Sequence, residues 1–151
     1  MSEPIKQVDG SGLLTRDALD VVLAAAKAAD AKLGDEIVAL DVSELLNVVD
    51  YFVIASGRNS RQVATLVEEI EAGTKQATGR GPTRIEGLKD ATWVLMDYGD
   101  VVMHVFLDET RKYYDLEHLW SGAPSVDLSS VVHQRPSNDS DDRSTSPGSP
   151  S

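Results

Sequence analysis

Two acidic side chains and a phenol lie in or directly before a Gly-Asp pair, and their types are suited to chemistry. Asp97 and Tyr98 precede Gly99, and Asp100 follows it. Two carboxylates placed so closely could hold metal ions for phosphoryl transfer, which requires ligands that bridge cations about 4 Å apart. The tip of a turn is exposed, however, and acids beside Gly-Asp are typical of turns. We therefore favour a turn over a metal site.

Ser56-Gly57 is a second candidate site. The pair follows an apolar run and precedes a predicted helix, where many α/β proteins bind a phosphate on helix N-terminal amides. It lacks the Lys and the second Gly of common phosphate-binding loops, so a plain turn is the stronger interpretation. An active nucleotidyl- or phosphotransferase that uses Ser56-Gly57 and the hairpin acids Asp97 and Asp100 remains the alternative function.

The histidines and the absence of cysteine limit other chemistry. His104 lies in an apolar run with no Ser or Cys at a motif spacing, so we expect a hydrogen-bonded histidine within a strand. His118 is expected on a helix surface. The chain has no cysteine, which excludes disulfides, thiolate nucleophiles and thiolate metal sites. We therefore predict no catalytic residue, no cofactor and no metal.

The charge of the chain favours a basic partner. The formal net charge is -11, of which residues 121–151 carry -2 (four Asp, two Arg), leaving -9 on residues 1–120. A phosphate backbone repels a domain with this much negative charge. Direct nucleic-acid binding is therefore not expected as the main contact. The same field speeds encounter with a basic protein.

The sequence also bears on location. The first ten residues have neither the basic start nor the apolar core of a secretory signal. No stretch approaches the ~20 apolar residues of a membrane span. We therefore expect a cytoplasmic protein without a membrane contact.

The acidic turn belongs to a predicted β-hairpin from Trp93 to Phe106. The runs WVLMDY and VVMHVF flank Gly99-Asp100, and tight hairpin turns require positive φ. Strand alternation places Trp93, Leu95 and Asp97 on one face and Val94, Met96 and Tyr98 on the other, with twist able to bring Tyr98 beside the first set. Trp and Tyr with Met are enriched in interfaces. For Trp93, core packing and partner contact are evenly balanced, and the neighbouring acids favour contact.

Apolar spacing predicts the remaining elements. They are a helix over 16–33 capped by Thr15, a strand over 36–42, a central strand over 50–57, a helix from Asn59 or Ser60 to Gly79, an edge strand over 84–87, and a final helix from Asp108 to Trp120. This order predicts an α/β fold in which helices flank a mixed β-sheet.

One folded domain is expected. Residues 1–14 are predicted to be a flexible leader, residues 15–120 the domain, and residues 121–151 a disordered tail rich in Ser, Pro and Asp. The tail is assigned on composition, because its few apolar residues cannot offset the entropy of ordering it.

Several sequence blocks, taken together, resemble a known family. They are Asp41-Val42-Ser43, DYFVIASG at 50–57 with NSRQV at 59–63, Glu86-Gly87, the predicted hairpin, and RKYYDLEHLW at 111–120. In order and spacing these blocks are similar to the ribosomal silencing factor (Iojap) family over about residues 15–121. The leader and the tail lie outside the resemblance.

The resemblance implies a nucleotidyltransferase-like fold that has lost its catalytic acids. It further implies a translation repressor that binds the large ribosomal subunit through ribosomal protein fourteen and sterically blocks joining of the small subunit, for example when nutrients are limiting. Some relatives self-associate, so a homodimer that competes with the ribosome is open. A structural dimerisation module without a ribosomal role is a third alternative.

By position, the family's contact surface falls on the hairpin. We expect Trp93 and Met96 to be desolvated anchors and Tyr98 to be an amphipathic contact. The acids Asp97, Asp100 and Glu86 are expected to pair with Lys or Arg of the ribosomal protein.

Overall fold

Helices and strands are mixed along the chain, in the order helix, two strands, helix, three strands and two short helices. The structure, a computed structural model, describes residues 11–133, with side chains from Asp17 onward. The helices are α1 (Ser11–Ala31), α2 (Ser60–Thr78), α3 (Asp108–Tyr114) and α4 (Leu116–Leu119). The strands are β1 (Asp35–Asp41), β2 (Tyr51–Gly57), β3 (Arg84–Glu86), β4 (Trp93–Asp97) and β5 (Val101–Leu107). Within this described part, no helix is long and apolar enough to cross a membrane.

The strands form one mixed sheet in the order β1-β2-β5-β4-β3. The two central strands, β2 and β5, run parallel, whereas the other neighbours are antiparallel. Every residue of β2 is buried, as an unbroken apolar run predicts for a strand covered on both faces. The predicted mixed sheet flanked by helices is therefore confirmed.

The two faces of the sheet are covered differently. Val101, Met103 and Val105 of β5 pack under the long helices α1 and α2. Val102 and Phe106 point to the opposite face, which, among the described residues, is covered by the short helices α3 and α4 and by nearby loop residues. The second face is therefore where the fold can leave apolar side chains accessible.

Close packing of the two long helices depends on small residues. Ala18, Ala25 and Ala29 of α1 are fully buried. A Cβ added at Gly73 of α2 would lie 3.0 Å from the Cβ of Ala28. A side chain at position 73 would thus push the helices apart and loosen the core between them.

The local signals at α2 and the hairpin are confirmed. The Asn59 side chain accepts a hydrogen bond from the Gln62 amide at 2.8 Å, and Gly79 ends the helix with φ 80°. In the hairpin, the Tyr98 amide donates to the Val101 carbonyl at 2.9 Å. Gly99 has φ 93° and Asp100 has no positive φ, the pattern of a turn with Gly at the first central position.

Two predicted helix boundaries are wrong. Helix α1 begins at Ser11, so Thr15 lies within it instead of capping it, and residues 11–14 are not part of a leader. The predicted final helix is interrupted at Asp115, which has φ 48° and separates α3 from α4. Asp tolerates this left-handed conformation better than most residues. Residues 1–10 lie outside the described part of the chain.

The predicted disorder from residue 121 is wrong for residues 121–133. This segment, here called the edge strap, lies along β1: the Asp41 amide donates to the Pro124 carbonyl at 2.8 Å, and the Val126 amide donates to the Ala39 carbonyl at 2.9 Å. Leu128 is buried in the helix-side core. An exposed sheet edge offers unpaired backbone groups, so a few apolar anchors suffice to dock the strap. Residues 134–151 lie outside the described residues.

Truncating the strap's anchor should both destabilise the domain and release the strap. Leu128→Ala is expected to lower the free energy of unfolding by about 2 kcal/mol, because it removes buried apolar volume. Hydrogen exchange at the Asp41 amide should become faster, because its acceptor is on the strap. Ser130→Ala, at an exposed strap position, is the matched control. Unchanged Asp41 exchange in Leu128→Ala would show that the strap is not docked in solution.

Candidate aromatic docking site

A cluster of rings on the thinly covered side of the sheet is the strongest candidate site. We call it the aromatic face and define it as Trp93, His104, Phe106, Tyr113 and Tyr114. The Trp93 ring lies 4.8 Å from the rings of both Phe106 and Tyr114, measured between centroids. Tyr113 is 82% exposed and Tyr114 is 51% exposed, whereas Trp93 is partly buried. The site therefore has a packed base and an accessible rim.

The sheet register positions the indole. Trp93 is paired with Phe106 across the β4–β5 hairpin, and Leu95 is paired with His104. The chain enters β4 through a tight loop in which Gly87 has φ 90°, and a Cβ at Gly87 would lie 2.3 Å from the Trp93 carbonyl oxygen. Any side chain at position 87 would therefore clash with the backbone of Trp93, so this close approach requires glycine.

His104 contacts the polar edge of the indole. The Trp93 Nε1–H donates to His104 Nδ1 at 3.1 Å. His104 is 5% exposed, and burial lowers its pKa from 6.5 to about 4, so the imidazole is neutral at pH 7. Because Nδ1 accepts, the ring proton is on Nε2, which has no hydrogen-bond partner among the described residues.

Helix α3, which carries Tyr113 and Tyr114, is held to the sheet by Arg111. This arginine is 5% exposed and donates to the Glu36 carbonyl at 2.7 Å, to Ser56 Oγ at 3.1 Å and to the Glu117 carboxylate at 2.6 Å. A charged group so buried requires several acceptors, and here each one is supplied by a different segment. The tyrosines are thus displayed from a fixed helix.

The same contacts occupy the Ser56 hydroxyl at the Ser56-Gly57 turn. Ser56 is 1% exposed, and its hydroxyl donates to the Asp35 carbonyl in addition to accepting from Arg111. At the start of α2, the Arg58 amide donates to the Gln62 side chain, and Asn59 caps the helix. The Arg58 and Gln62 amides are therefore already partnered, which weakens the case for a phosphate site at this turn.

The hairpin acids are held by arginines of the same chain. Asp100 accepts from Arg80 at 2.7 and 3.3 Å, and Arg80 also donates to Asp17 at 2.8 Å. The hydrogen bond to Asp100 raises the pKa of Arg80. Asp97 accepts from the Gly99 amide at 2.8 Å and from Arg84 at 3.4 Å. In the part of the chain that the structure describes, no three His, Asp or Glu side chains are grouped so that they could hold a metal ion.

Met96 and Tyr98 are not on the surface, which corrects their expected roles as partner contacts. Met96 is 0% exposed and Tyr98 is 4% exposed. Alternation along β4 turns both toward α2, where the Tyr98 hydroxyl and Thr74 Oγ1 are 2.8 Å apart. Burial raises the pKa of Tyr98. The hairpin twist does not bring Tyr98 beside Trp93.

The remaining predicted contacts keep accessible surface. Glu86 has a side chain that is 56% exposed and paired with Arg84 at 2.9 Å. Asp97 and Asp100 have side chains that are 26% and 31% exposed. Trp93 lies at the edge of an open cavity of ≈ 340 Å³, whose other lining residues are Thr92, Glu109, Thr110, Tyr113 and Tyr114.

The two tyrosines of α3 were missed by sequence reasoning. Tyr113 and Tyr114 are adjacent in α3, a helix of only 7 residues, and they are 82% and 51% exposed. They were assigned to the final helix without a role at the site, because no local pattern shows which side of that helix is covered.

Known proteins match this chain over most of its length. A family model described as "Ribosomal silencing factor during starvation" matches residues 15–149. A Bacillus subtilis protein named ribosomal silencing factor RsfS is 42% identical over 110 residues, which are 73% of this chain and 92% of that protein. The chain belongs to the ribosomal silencing factor family. The predicted resemblance is thereby confirmed.

Further relatives extend the comparison to structures and to plants. A crystal structure of a Chromobacterium violaceum protein is 33% identical and superposes with a TM-score of 0.66, covering 80% of this chain and 90% of that one. A Zea mays protein named Iojap, chloroplastic, is 30% identical over 115 residues, covering 74% of this chain and 48% of that protein. The family membership makes translation the process on which this chain acts.

The buried imidazole should make stability depend on pH. The unfolded chain protonates His104 near pH 6.5, whereas the folded protein does so only near pH 4. Unfolding therefore takes up a proton between these values, and the free energy of unfolding should fall as pH drops from about 7 to 4, by roughly 3 kcal/mol from this group.

The measurement is chemical denaturation of wild type and His104→Leu between pH 5 and 7.5. His118 and His133 remain in both proteins, so the difference in slope isolates His104. Identical slopes in the two proteins would mean that His104 is accessible to protons in the folded state.

Proposed function

We propose that this chain represses translation in the cytoplasm by binding the large ribosomal subunit through ribosomal protein fourteen, so that the small subunit cannot join, for example under nutrient limitation. The single observation that carries the proposal is the accessible aromatic face on an acidic domain of the silencing factor family. No bond is made or broken in this mechanism. Occupancy of the face that the small subunit needs is sufficient.

The chemistry of the aromatic face suits a protein partner. Binding energy in interfaces is concentrated in Trp, Tyr and Arg anchors that lose contact with water. Trp93 offers such an anchor, and the exposed rings of Tyr113 and Tyr114 extend the apolar area beside it. The cavity between them can receive one side chain of the partner, with Glu109 at its edge to pair with a cation.

The charge distribution suits a basic partner. Residues 1–120 carry a net charge of -9, and ribosomal proteins are basic. Attraction between the two accelerates association more than it strengthens the final complex. Glu86 and Asp97 border the hairpin side of the face, whereas Asp100 is bound by Arg80 and contributes mainly to the long-range field.

A second copy of the chain is the natural competitor for this surface. Exposed aromatic area invites self-association, and a homodimer that covered Trp93 would exclude the ribosome. Dimerisation would in that case store the repressor in an inactive form.

Removing the proposed anchor should abolish tight binding. Trp93→Ala is expected to weaken binding to purified large subunits by about 2 kcal/mol or more, roughly 30-fold, as is typical of a central aromatic. Glu86→Gln, at an exposed border position, should cost under about 1 kcal/mol. Sedimentation with large subunits measures both, with circular dichroism to confirm folding. Equal losses in the two variants would place the anchor elsewhere.

The proposed mechanism predicts inhibition of subunit joining that weakens as salt increases. In sucrose gradients, a slight excess of the protein over large subunits should prevent formation of the joined ribosome after small subunits are added. Raising monovalent salt from about 50 to 300 mM should slow the binding of the protein to the large subunit, because exposed charges are screened. Magnesium with a nucleotide should leave the melting temperature unchanged, whereas a transferase would be stabilised. Unhindered joining at saturating protein would overturn the mechanism.

A further inference from the structure

We infer that His104 is the positioning residue that sets the orientation of the Trp93 indole for partner docking. His104 is 5% exposed, so in this proposal it acts on the partner through Trp93. The inference rests on the proposed function, because it assigns a cause to the geometry of the same surface.

Ring contacts alone do not fix the indole. Phe106 and Tyr114 flank the Trp93 ring at 4.8 Å with tilts of 30° and 48°, and such contacts tolerate sliding and ring reversal. The hydrogen bond from Nε1 to His104 Nδ1, at 3.1 Å, depends on direction and selects one orientation. Since Nε1 is the only polar atom of the indole, this bond leaves an entirely apolar exposed surface for the partner.

The histidine is a costly choice for its position. Its Nε2–H has no hydrogen-bond partner among the described residues, and its ring lies edge-on to Phe52 at 4.8 Å, within an apolar cluster. Buried polar atoms without partners are rare, because the hydrogen bonds that they lose to water are not replaced within the protein. A leucine would fill the site without that cost. The interaction that requires a histidine here is its acceptance of the Trp93 donor.

The positioning role separates stability from binding, which gives a test. His104→Leu removes the acceptor together with the unpartnered Nε2. His104→Asn is the matched variant, because the side-chain oxygen of Asn occupies nearly the place of Nδ1 and can accept from the indole. Trp93→Phe keeps a ring but removes the donor.

Two readouts are needed. The first is the Nε1–H resonance of Trp93 in a ¹H-¹⁵N spectrum, assigned by its loss in Trp93→Phe so that it is distinguished from Trp120. The second is the Kd for purified large subunits. His104→Leu should shift the Trp93 resonance and speed its exchange with water, and it should keep or raise the melting temperature.

The binding results decide the inference. His104→Leu is expected to weaken large-subunit binding about fivefold to tenfold, the size of one lost hydrogen bond, while His104→Asn stays within about twofold of wild type. In the Trp93→Phe background, His104→Leu should have no further effect. Wild-type affinity in His104→Leu, or an unchanged Trp93 resonance, would overturn the positioning role.

The two proposals fail in different ways. If wild type does not bind large subunits, the proposed function fails, and the Trp93 resonance still reports whether His104 orients the indole. If wild type binds and Trp93→Ala does not, but His104→Leu binds normally, the docking proposal stands and the positioning role is wrong.

Discussion

The alternation of side chains along β5 is the constraint on which the rest of the structure depends. Because successive residues of a strand point to opposite faces, Val101, Met103 and Val105 commit one face to the long helices. The intervening residues, including His104 and Phe106, must then be covered by the segment after the strand. That segment begins with α3, a helix of only 7 residues, so the covering is thin and aromatic rings are left accessible. The proposed docking surface is thus a consequence of unequal covering of a two-sided sheet.

A thin layer functions as a docking surface only if it is rigid, and Arg111 supplies the rigidity. The register of β1 against β2 shifts between Asp35 and Val38, and Glu36 has φ 48°. Such bulges turn backbone groups away from the ladder, and here the carbonyls of Asp35 and Glu36 are turned to Arg111. The carbonyls freed by the bulge therefore accept hydrogen bonds from the buried guanidinium of Arg111, and both sets of polar groups gain partners. Without this match, the arginine would be a buried charge without enough acceptors.

The sequence was informative where the signal is local. A few neighbouring residues were enough to predict the hairpin turn at Gly99, the helix ends at Asn59 and Gly79, and the buried strand β2. Local sequence does not show which face of β4 meets the long helices, because Trp93 is as apolar as Val94 and Met96. The expectation that Met96 and Tyr98 contact a partner was therefore wrong. The edge strap failed for a related reason. Its anchors are spread through a Ser- and Pro-rich segment, and their partners are more than eighty residues away along the chain.

Intramolecular ion pairs shape how the acidic field reaches outward. Arg80 and Arg84 are each bound to acids of the hairpin or of α1, and Arg111 is bound to Glu117. Arg80 and Arg111 are largely covered and hold the fold, whereas the Arg84 side chain stays 64% exposed beside Glu86 and Asp97. The excess carboxylates set a negative potential that steers association, whereas the apolar rings set the lifetime of the complex. The association rate and the lifetime of the complex thus depend on different residues. Ionic strength can therefore change how fast the protein binds without altering the apolar surface that slows its dissociation.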